Sequence, residues 1–282
     1  MGKTLFITDL DGTLLNSNAE ITPFTAKIIN NLIDEGMIFT YASARSFVTA
    51  LKVTGAINFK YPAVCFNGVF VQDPKTGEYL DKCICDKEKI AEVIRICETN
   101  GFYPFVYAFI DGMERVSWIK GEETSASKFY LEGRTGDKRL RPVKNYGEFY
   151  DGEIYAIVFH GNFWEELEGI LQVLNLDSQF AYYIAKDTYK NNCGQRYCWF
   201  EIIRFDATKD FGVKKVKELV GADKIVCFGD NINDIPMFDV SDEKYAVANA
   251  VPEIKNIATD IIGSNDGDGV AKWLEKYARG YL

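Results

Sequence analysis

Leu5-Phe6-Ile7-Thr8-Asp9-Leu10-Asp11-Gly12-Thr13 is the stretch that decides the fold. An apolar run without alternation fits a strand buried on both faces, as in a parallel sheet covered by helices. It breaks into two acids and a glycine, residues that satisfy turn geometry. Similar runs recur at Ile38–Ala42, Ala63–Phe66, Ile225–Phe228, Tyr245–Ala248 and Ile261–Ile262. Between the first two, Thr22 can cap a helix with Pro23 at its first position. Ile28, Ile29, Leu32 and Ile33 supply its apolar stripe, and Gly36 its stop. Strand, helix, strand in that order implies a right-handed crossover. The expected fold is therefore α/β, with a doubly wound, Rossmann-like parallel sheet.

The middle of the chain reads differently. A helix is expected from about Asp86, with Ile90, Val93, Ile94 and Cys97 as its stripe and Asn100-Gly101 as its stop. Strand-like stretches follow at Phe102–Ile110 and Arg115–Ile119, then a polar segment from Glu132 to Gly147. A strand at Ile154–Phe159 leads to a helix carrying Phe163, Leu167, Ile170, Leu171 and Leu174, and strands near Phe180–Ala185 and Tyr197–Ile203 close the region. These strands alternate more, and hairpins fit their short links, so the region reads as a second α/β unit of antiparallel character. We expect it to span 84–195, inserted into a core of 1–83 and 196–282.

A chain of 282 residues has room for two modest domains and needs no disulfide to fold. The 32 basic and 41 acidic side chains leave a net charge of −9, which gives no long-range attraction to nucleic acid or to a membrane surface. The longest apolar stretch, near Tyr103–Ile110, is far below the roughly 18 residues of a membrane span. Acids at Asp9 and Asp11 rule out a secretory signal, so a cytoplasmic protein is expected. The seven cysteines mostly sit in apolar runs and read as small buried hydrophobes in a reducing compartment. Cys83-x-Cys85 resembles a metal pair, but no second pair at zinc spacing accompanies it. The single histidine, His160, excludes multi-histidine metal sites and leaves acid–base chemistry to carboxylates, Lys, Tyr or Cys. Next to Gly161 at a strand end, it reads as a surface residue.

The polar residues gather where the apolar runs stop. The first run delivers Asp9 and Asp11, the second Ser43 and Arg45, the third Asn67-Gly68, and the fourth Asp230-Asn231-Ile232-Asn233-Asp234. In an open parallel sheet, ligands bind beyond the carboxyl ends of the strands. Acids converging there need a cation, and hard oxygen donors select magnesium over zinc. Either acidic segment alone would read as a turn; both, at the ends of strands of one sheet, read as a site. Lys209 follows Thr208, a suitable cap, and opens a helix with Val213, Val216 and Val220 before Gly221, so its ammonium and the positive helix end point toward an anion.

On these residues the chain resembles the haloacid dehalogenase superfamily, and in particular its Cof-type branch with a large α/β cap. Asp9-Leu10-Asp11-Gly12-Thr13 is similar to the first motif. Ser43 within Tyr41-Ala42-Ser43-Ala44-Arg45 is similar to the second, Lys209 to the third, and Gly229-Asp230-Asn231-Ile232-Asn233-Asp234 to the fourth. The Phe66-Asn67-Gly68 turn and the tail Asp268-Gly269-Val270-Ala271 fit the same branch. Ala44 in place of a usual Gly and Asp210 after the lysine depart from the pattern without touching a reactive group. The resemblance implies a phosphatase of sugar phosphates or similar small phosphate esters, with the inserted cap setting specificity. Asp9 would be the nucleophile that forms an aspartyl phosphate, and Asp11 the general acid and base. Asp9, Asp230 and the main-chain carbonyl of Asp11 would bind Mg2+, while Asp234 orients water on the metal or binds it directly. Ser43 and Lys209 would hold phosphoryl oxygens, and Asn233 would donate to phosphate or brace the nucleophile. Asn67 would do the same or only close its turn, and Arg45 would be a ligand or a structural ion pair. The alternatives are a phosphomutase, or a silent sugar-phosphate-binding protein. A mutase needs a cationic site for a second phosphate; Lys138, Arg139, Arg141 and Lys144 cluster, but in a segment that reads as a solvated loop.

Overall fold

Thr4–Thr8 forms β1, and all five residues are buried, as a run without alternation requires. The first part of the chain continues through α1 (Pro23–Asp34), β2 (Ile38–Tyr41), α2 (Phe47–Thr54), β3 (Ala63–Cys65), β4 (Phe70–Gln72) and β5 (Tyr79–Lys82). The middle contains α3 (Lys87–Asn100), β6 (Phe105–Ile110), β7 (Met113–Ile119), α4 (Ser125–Glu132), β8 (Leu140–Val143), β9 (Glu153–Gly161), α5 (Trp164–Leu174), β10 (Phe180–Lys186) and β11 (Cys198–Arg204). The last part supplies α6 (Lys209–Val220), β12 (Lys224–Gly229), α7 (Ile235–Asp239), β13 (Glu243–Val247), α8 (Pro252–Ile257), β14 (Asp260–Ile262) and α9 (Gly269–Tyr277). The computed structural model describes residues 2–176, 178–186, 194 and 196–281. They divide into two units, Met1–Lys82 with Ala207–Leu282, and Cys83–Asp206.

In the first unit, β14-β13-β12-β1-β2 is a five-stranded sheet, and every pairing in it is parallel. The expected parallel α/β core is thus present. From β1 the chain goes out to β2 on one side, and β12 lies on the other, so the ends of β1 and β12 flank the point where strand order reverses. The helix after β1 begins as its sequence dictates: Thr22 accepts from the Thr25 amide at 3.1 Å with Pro23 in the first turn. The third apolar run departs from expectation. Its strand β3 pairs antiparallel with β4, which pairs antiparallel with β5, and among the described residues its one ladder link to the main sheet is the Ala42–Val64 bridge. The cause is local: Phe66 and Asn67 both take φ of 53°, which folds the chain back on itself after three strand residues.

The second unit is a six-stranded sheet in the order β10-β11-β9-β6-β7-β8. All its pairings are antiparallel except β7 with β8. α3 runs from an Asp86 cap, which accepts from Glu88 and Lys89 at 3.0 Å, to a left-handed Gly101. Its Ile90, Val93, Ile94 and Cys97 pack with Leu167 and Leu174 of α5 against Val106, Ala108, Ile157, Phe159, Phe200 and Ile202. Alternation sends Phe105, Tyr107 and Phe109 to the other sheet face, where they are also buried. Phe163 caps α5 and is 63% exposed, outside the apolar face expected for it.

Two expectations about this unit change. It ends at Asp206 rather than near 195, because β11 pairs along its length with both β9 and β10; Gln195 itself lies outside the described residues. The polar segment after Glu132 is not all loop, since Leu140–Val143 forms β8 beside β7. The incoming and outgoing chains are tied together within the unit: Arg204 donates to the Ile84 carbonyl at 3.3 Å and grips Asp206 through two nitrogens. No helix among the described residues is long and apolar enough to cross a membrane.

Candidate active site

Asp9 stands at the tip of β1, with its amide donating to Phe228 O of β12 at 2.9 Å. That bond fixes β12 against it. Lys209, the first residue of α6, donates to Asp9 Oδ1 at 2.6 Å and to Asp234 Oδ1 at 2.7 Å. Its side chain and that of Asp234 are wholly buried. An ammonium so placed persists only when paired. Burial opposes its charge, but Asp234 and Asp9 outweigh that and hold its pKa above the usual lysine value. The helix is not capped as the sequence suggested: the Thr208 hydroxyl donates to Asp210 rather than accepting from a backbone amide.

Asp234 is shared between Lys209 and the turn after β12. Its Oδ2 accepts from the amides of Asp230 at 2.9 Å and Asn231 at 3.1 Å, which shapes the turn after β12. Asp230 in turn accepts from Thr13 Oγ1 at 2.9 Å. One oxygen each of Asp9, Asp230 and Asp234 lies within 4.8 Å of the others. Burial, and then the neighbouring Asp234, push the Asp230 carboxyl up to about 6. Burial also raises Asp9 well above the ordinary range, with Lys209 opposing and Asp234 and Asp230 adding to the rise. A cluster this short of positive charge, built only of hard oxygen donors, fits magnesium.

The second half of the site is more open. Asp11 is half exposed and held bidentately by Arg45, whose Nε and Nη2 lie 2.7 and 2.6 Å from its two oxygens. Of the two readings for Arg45, the structure places it in the ion pair. The Arg45 amide donates to Ser43 Oγ at 3.1 Å, and the Ser43 carbonyl accepts from the Asn67 amide at 3.0 Å. Asn67 Oδ1 accepts from Asn233 Nδ2 at 3.2 Å. All nine residues singled out from the sequence thus lie in two hydrogen-bonded strings of one unit. Missed were Thr13, Asn249 and Asn265. Asn249 follows β13, so the strand-end rule that found Asp9 and Asp230 also covers it; its run carried no acid to draw notice.

Elsewhere the readings divide. The six described cysteines are all buried, as expected, and Cys193 lies outside the described residues. Burial pushes the Cys83 and Cys85 thiols up to about 12, and they donate to Asp206 and to the Tyr155 carbonyl, each at 3.5 Å. They are structural thiols. His160 is not a surface residue: its ring lies 4.3 Å from that of Tyr130 and 5.1 Å from Phe105. Burial, then the charge of Arg134, lower it to about 3. In the basic cluster, Arg139 pairs with Asp137 at 2.7 Å and Glu114 at 3.1 Å, and Arg141 with Asp151 at 2.5 Å. These two arginines are taken up by their own unit.

The sequence pattern of the haloacid dehalogenase-like hydrolases matches residues 6–274. The chain is similar to the 5-amino-6-(5-phospho-D-ribitylamino)uracil phosphatase YitU of Bacillus subtilis, 26% identical over 97% of each chain. Over a shorter stretch, 30% of this chain and 40% of the other, it is 42% identical to phosphoglycolate phosphatase 2 of Saccharolobus solfataricus. A crystal structure of a Thermotoga maritima protein shares the fold, with a TM-score of 0.78 at 23% identity over 98% of this chain and 97% of that one. A pattern match over nearly the whole length, on a parallel sheet whose strand ends carry the matching acids beside the lysine that opens α6, settles the family: this chain is a haloacid dehalogenase-like hydrolase.

Proposed function

We propose that this haloacid dehalogenase-like phosphatase is a magnesium-dependent phosphomonoester hydrolase acting on sugar phosphates or similar small esters through an aspartyl phosphate. One observation carries the reading: of two acids on one turn, Asp9 is buried and fixed by Lys209, whereas Asp11 is half exposed and held only at its tip by Arg45. A nucleophile must be aimed, and a general acid must reach a departing group. Asp9 attacks phosphorus as the bond to the ester oxygen breaks, and Asp11 gives that oxygen its proton. Asp11 then takes a proton from the water that attacks the aspartyl phosphate, releasing inorganic phosphate and free Asp9. Asp9, Asp230 and the Asp11 carbonyl would hold magnesium, which supplies neutralisation of the two meeting anions. Asp234 supports the turn and Lys209 and, from the same cluster, would orient water on the ion or bind it directly. Ser43 and Lys209 bind phosphoryl oxygens, and the Asn67–Asn233 pair borders them.

Substrate choice is assigned to the inserted unit. A relative named for a phosphorylated ribitylamino compound supports a polyol or sugar phosphate. The pairing of Arg139 and Arg141 favours a hydrolase over a mutase, since it removes two cations that a second phosphate would need. Buried free cysteines suit a reducing cytoplasm. The test is phosphate release from sugar phosphates, nucleotides, flavin mononucleotide and pyridoxal phosphate. Turnover should vanish in excess chelator, return with magnesium, and be undetectable for Asp9→Asn. Full activity after verified metal removal would overturn the reading.

A further inference from the structure

The turn that carries Asp11 is held from a strand that supplies none of the acids. Asn249, two residues past β13, donates from Nδ2 to the Gly12 carbonyl at 2.7 Å. Its Oδ1 accepts from the Asn265 amide at 3.0 Å, and Asn265 Nδ2 donates to the Leu15 carbonyl at 3.0 Å. The same short segment also holds the other acidic turn, for the Val251 amide donates to the Asp230 carbonyl at 2.8 Å. Gly12 has φ of 79°, and a Cβ there would lie 2.4 Å from Asp230 Oδ2. The two turns therefore touch, and the segment from Asn249 to Val251 fixes one to the other. An amide side chain is suited to this task because it donates to one loop and accepts from the next.

We infer that Asn249, seated by Asn265, is a positioning residue that aims Asp11 at the leaving oxygen; this rests on the reading of Asp11 as the general acid. Asp9 is anchored separately, by β12 and Lys209, so loosening Gly12 disturbs the acid more than the nucleophile. The consequence depends on the leaving group. An aryl oxygen departs without a proton, whereas an alkyl oxygen needs one from a well-placed acid.

The experiment compares kcat/KM for p-nitrophenyl phosphate with that for an alkyl ester, the best sugar phosphate of the screen, in the magnesium-loaded enzyme. Asn249→Asp keeps the acceptor for Asn265 and loses the donor to Gly12. It should lower the alkyl ester roughly 10- to 100-fold more than the aryl ester. Asn265→Ala should show the same pattern more weakly, and thermal unfolding of each variant separates loss of fold from loss of aim. Asp11→Asn is the control for the underlying reading and should show the leaving-group split in full. If Asp11→Asn lowers both esters equally, the assignment of Asp11 fails. If Asp11→Asn splits them and a folded Asn249→Asp does not, the role of Asn249 is wrong.

Discussion

His160 shows how far a single residue escapes its sequence. Beside Gly161 at a strand end it reads as exposed, yet pleat alternation puts it on the same face as Phe105, and Tyr130 of α4 closes over it. Nothing in its own neighbourhood announces a helix arriving from thirty residues away. Asp9, by contrast, is legible because its chemistry and its place at a strand end coincide. The burial of His160 has a thermodynamic signature. Unfolded, it takes a proton near its ordinary 6.5; folded, it refuses one down to about 3. Its contribution to stability is complete above pH 6.5 and declines as the pH falls, by about 1.4 kcal/mol per unit. Since the chain has no other histidine, urea unfolding of the parent and of His160→Phe at pH 7.5 and pH 5 isolates the effect. The variant should be spared about 2 kcal/mol of the acid-side loss. Equal losses would mean that the imidazole is protonated in the folded state.

At the scale of elements, α6 reaches the sheet only because two glycines let it. A Cβ on Gly212 would meet Val64 Cγ1 at 2.4 Å, and one on Gly68, where φ is 109°, would meet the Thr208 carbonyl at 2.0 Å. The second contact is backbone against backbone next to Lys209, so it cannot relax by turning a side chain. Gly68→Ala should destabilise by about 3 kcal/mol and lower turnover at least tenfold by displacing Lys209. Gly212→Ala gains helix propensity of about 1 kcal/mol against its clash and should lose only about 1–2 kcal/mol. Thermal unfolding with kcat for both variants checks the order; a Gly68→Ala protein as stable as the parent would show the contact to be looser. The helices were legible where caps and stripes agree, as in α1 and α3. The pairing of β3 was not, because an apolar run states that a strand is buried and not which strand it pairs with. β8 was hidden by polarity: Arg141 lies in it and Arg139 just before it, and acids elsewhere in the unit neutralise both.

For the whole molecule, the parallel core and the presence of an insertion followed from the spacing of apolar runs, while the second junction did not. Tyr197–Ile203 reads as a strand closing the insertion although the expected boundary falls before it; its pairing with β9 and β10 moves the junction past it. Cys83–Asp206 has a six-stranded sheet and an apolar core of its own. We expect that segment, expressed alone, to unfold cooperatively in urea with a near-ultraviolet circular dichroism signal of packed aromatics. A gradual, featureless transition would show that it depends on the remainder of the chain.

The grip of Arg204 on Asp206 and Ile84 has a consequence for how damage spreads. With its ends held within a hydrogen bond of each other, the folded insertion acts on the rest of the polymer as a short tether between Lys82 and Ala207. Melted, it becomes a long slack loop, and closing such a loop costs roughly 4 kcal/mol of chain entropy. Each unit thus carries a stake in the order of the other that requires no touching surface. A cap exchanged for a foreign one of any sequence would preserve that coupling, provided that it folds and brings its two ends together.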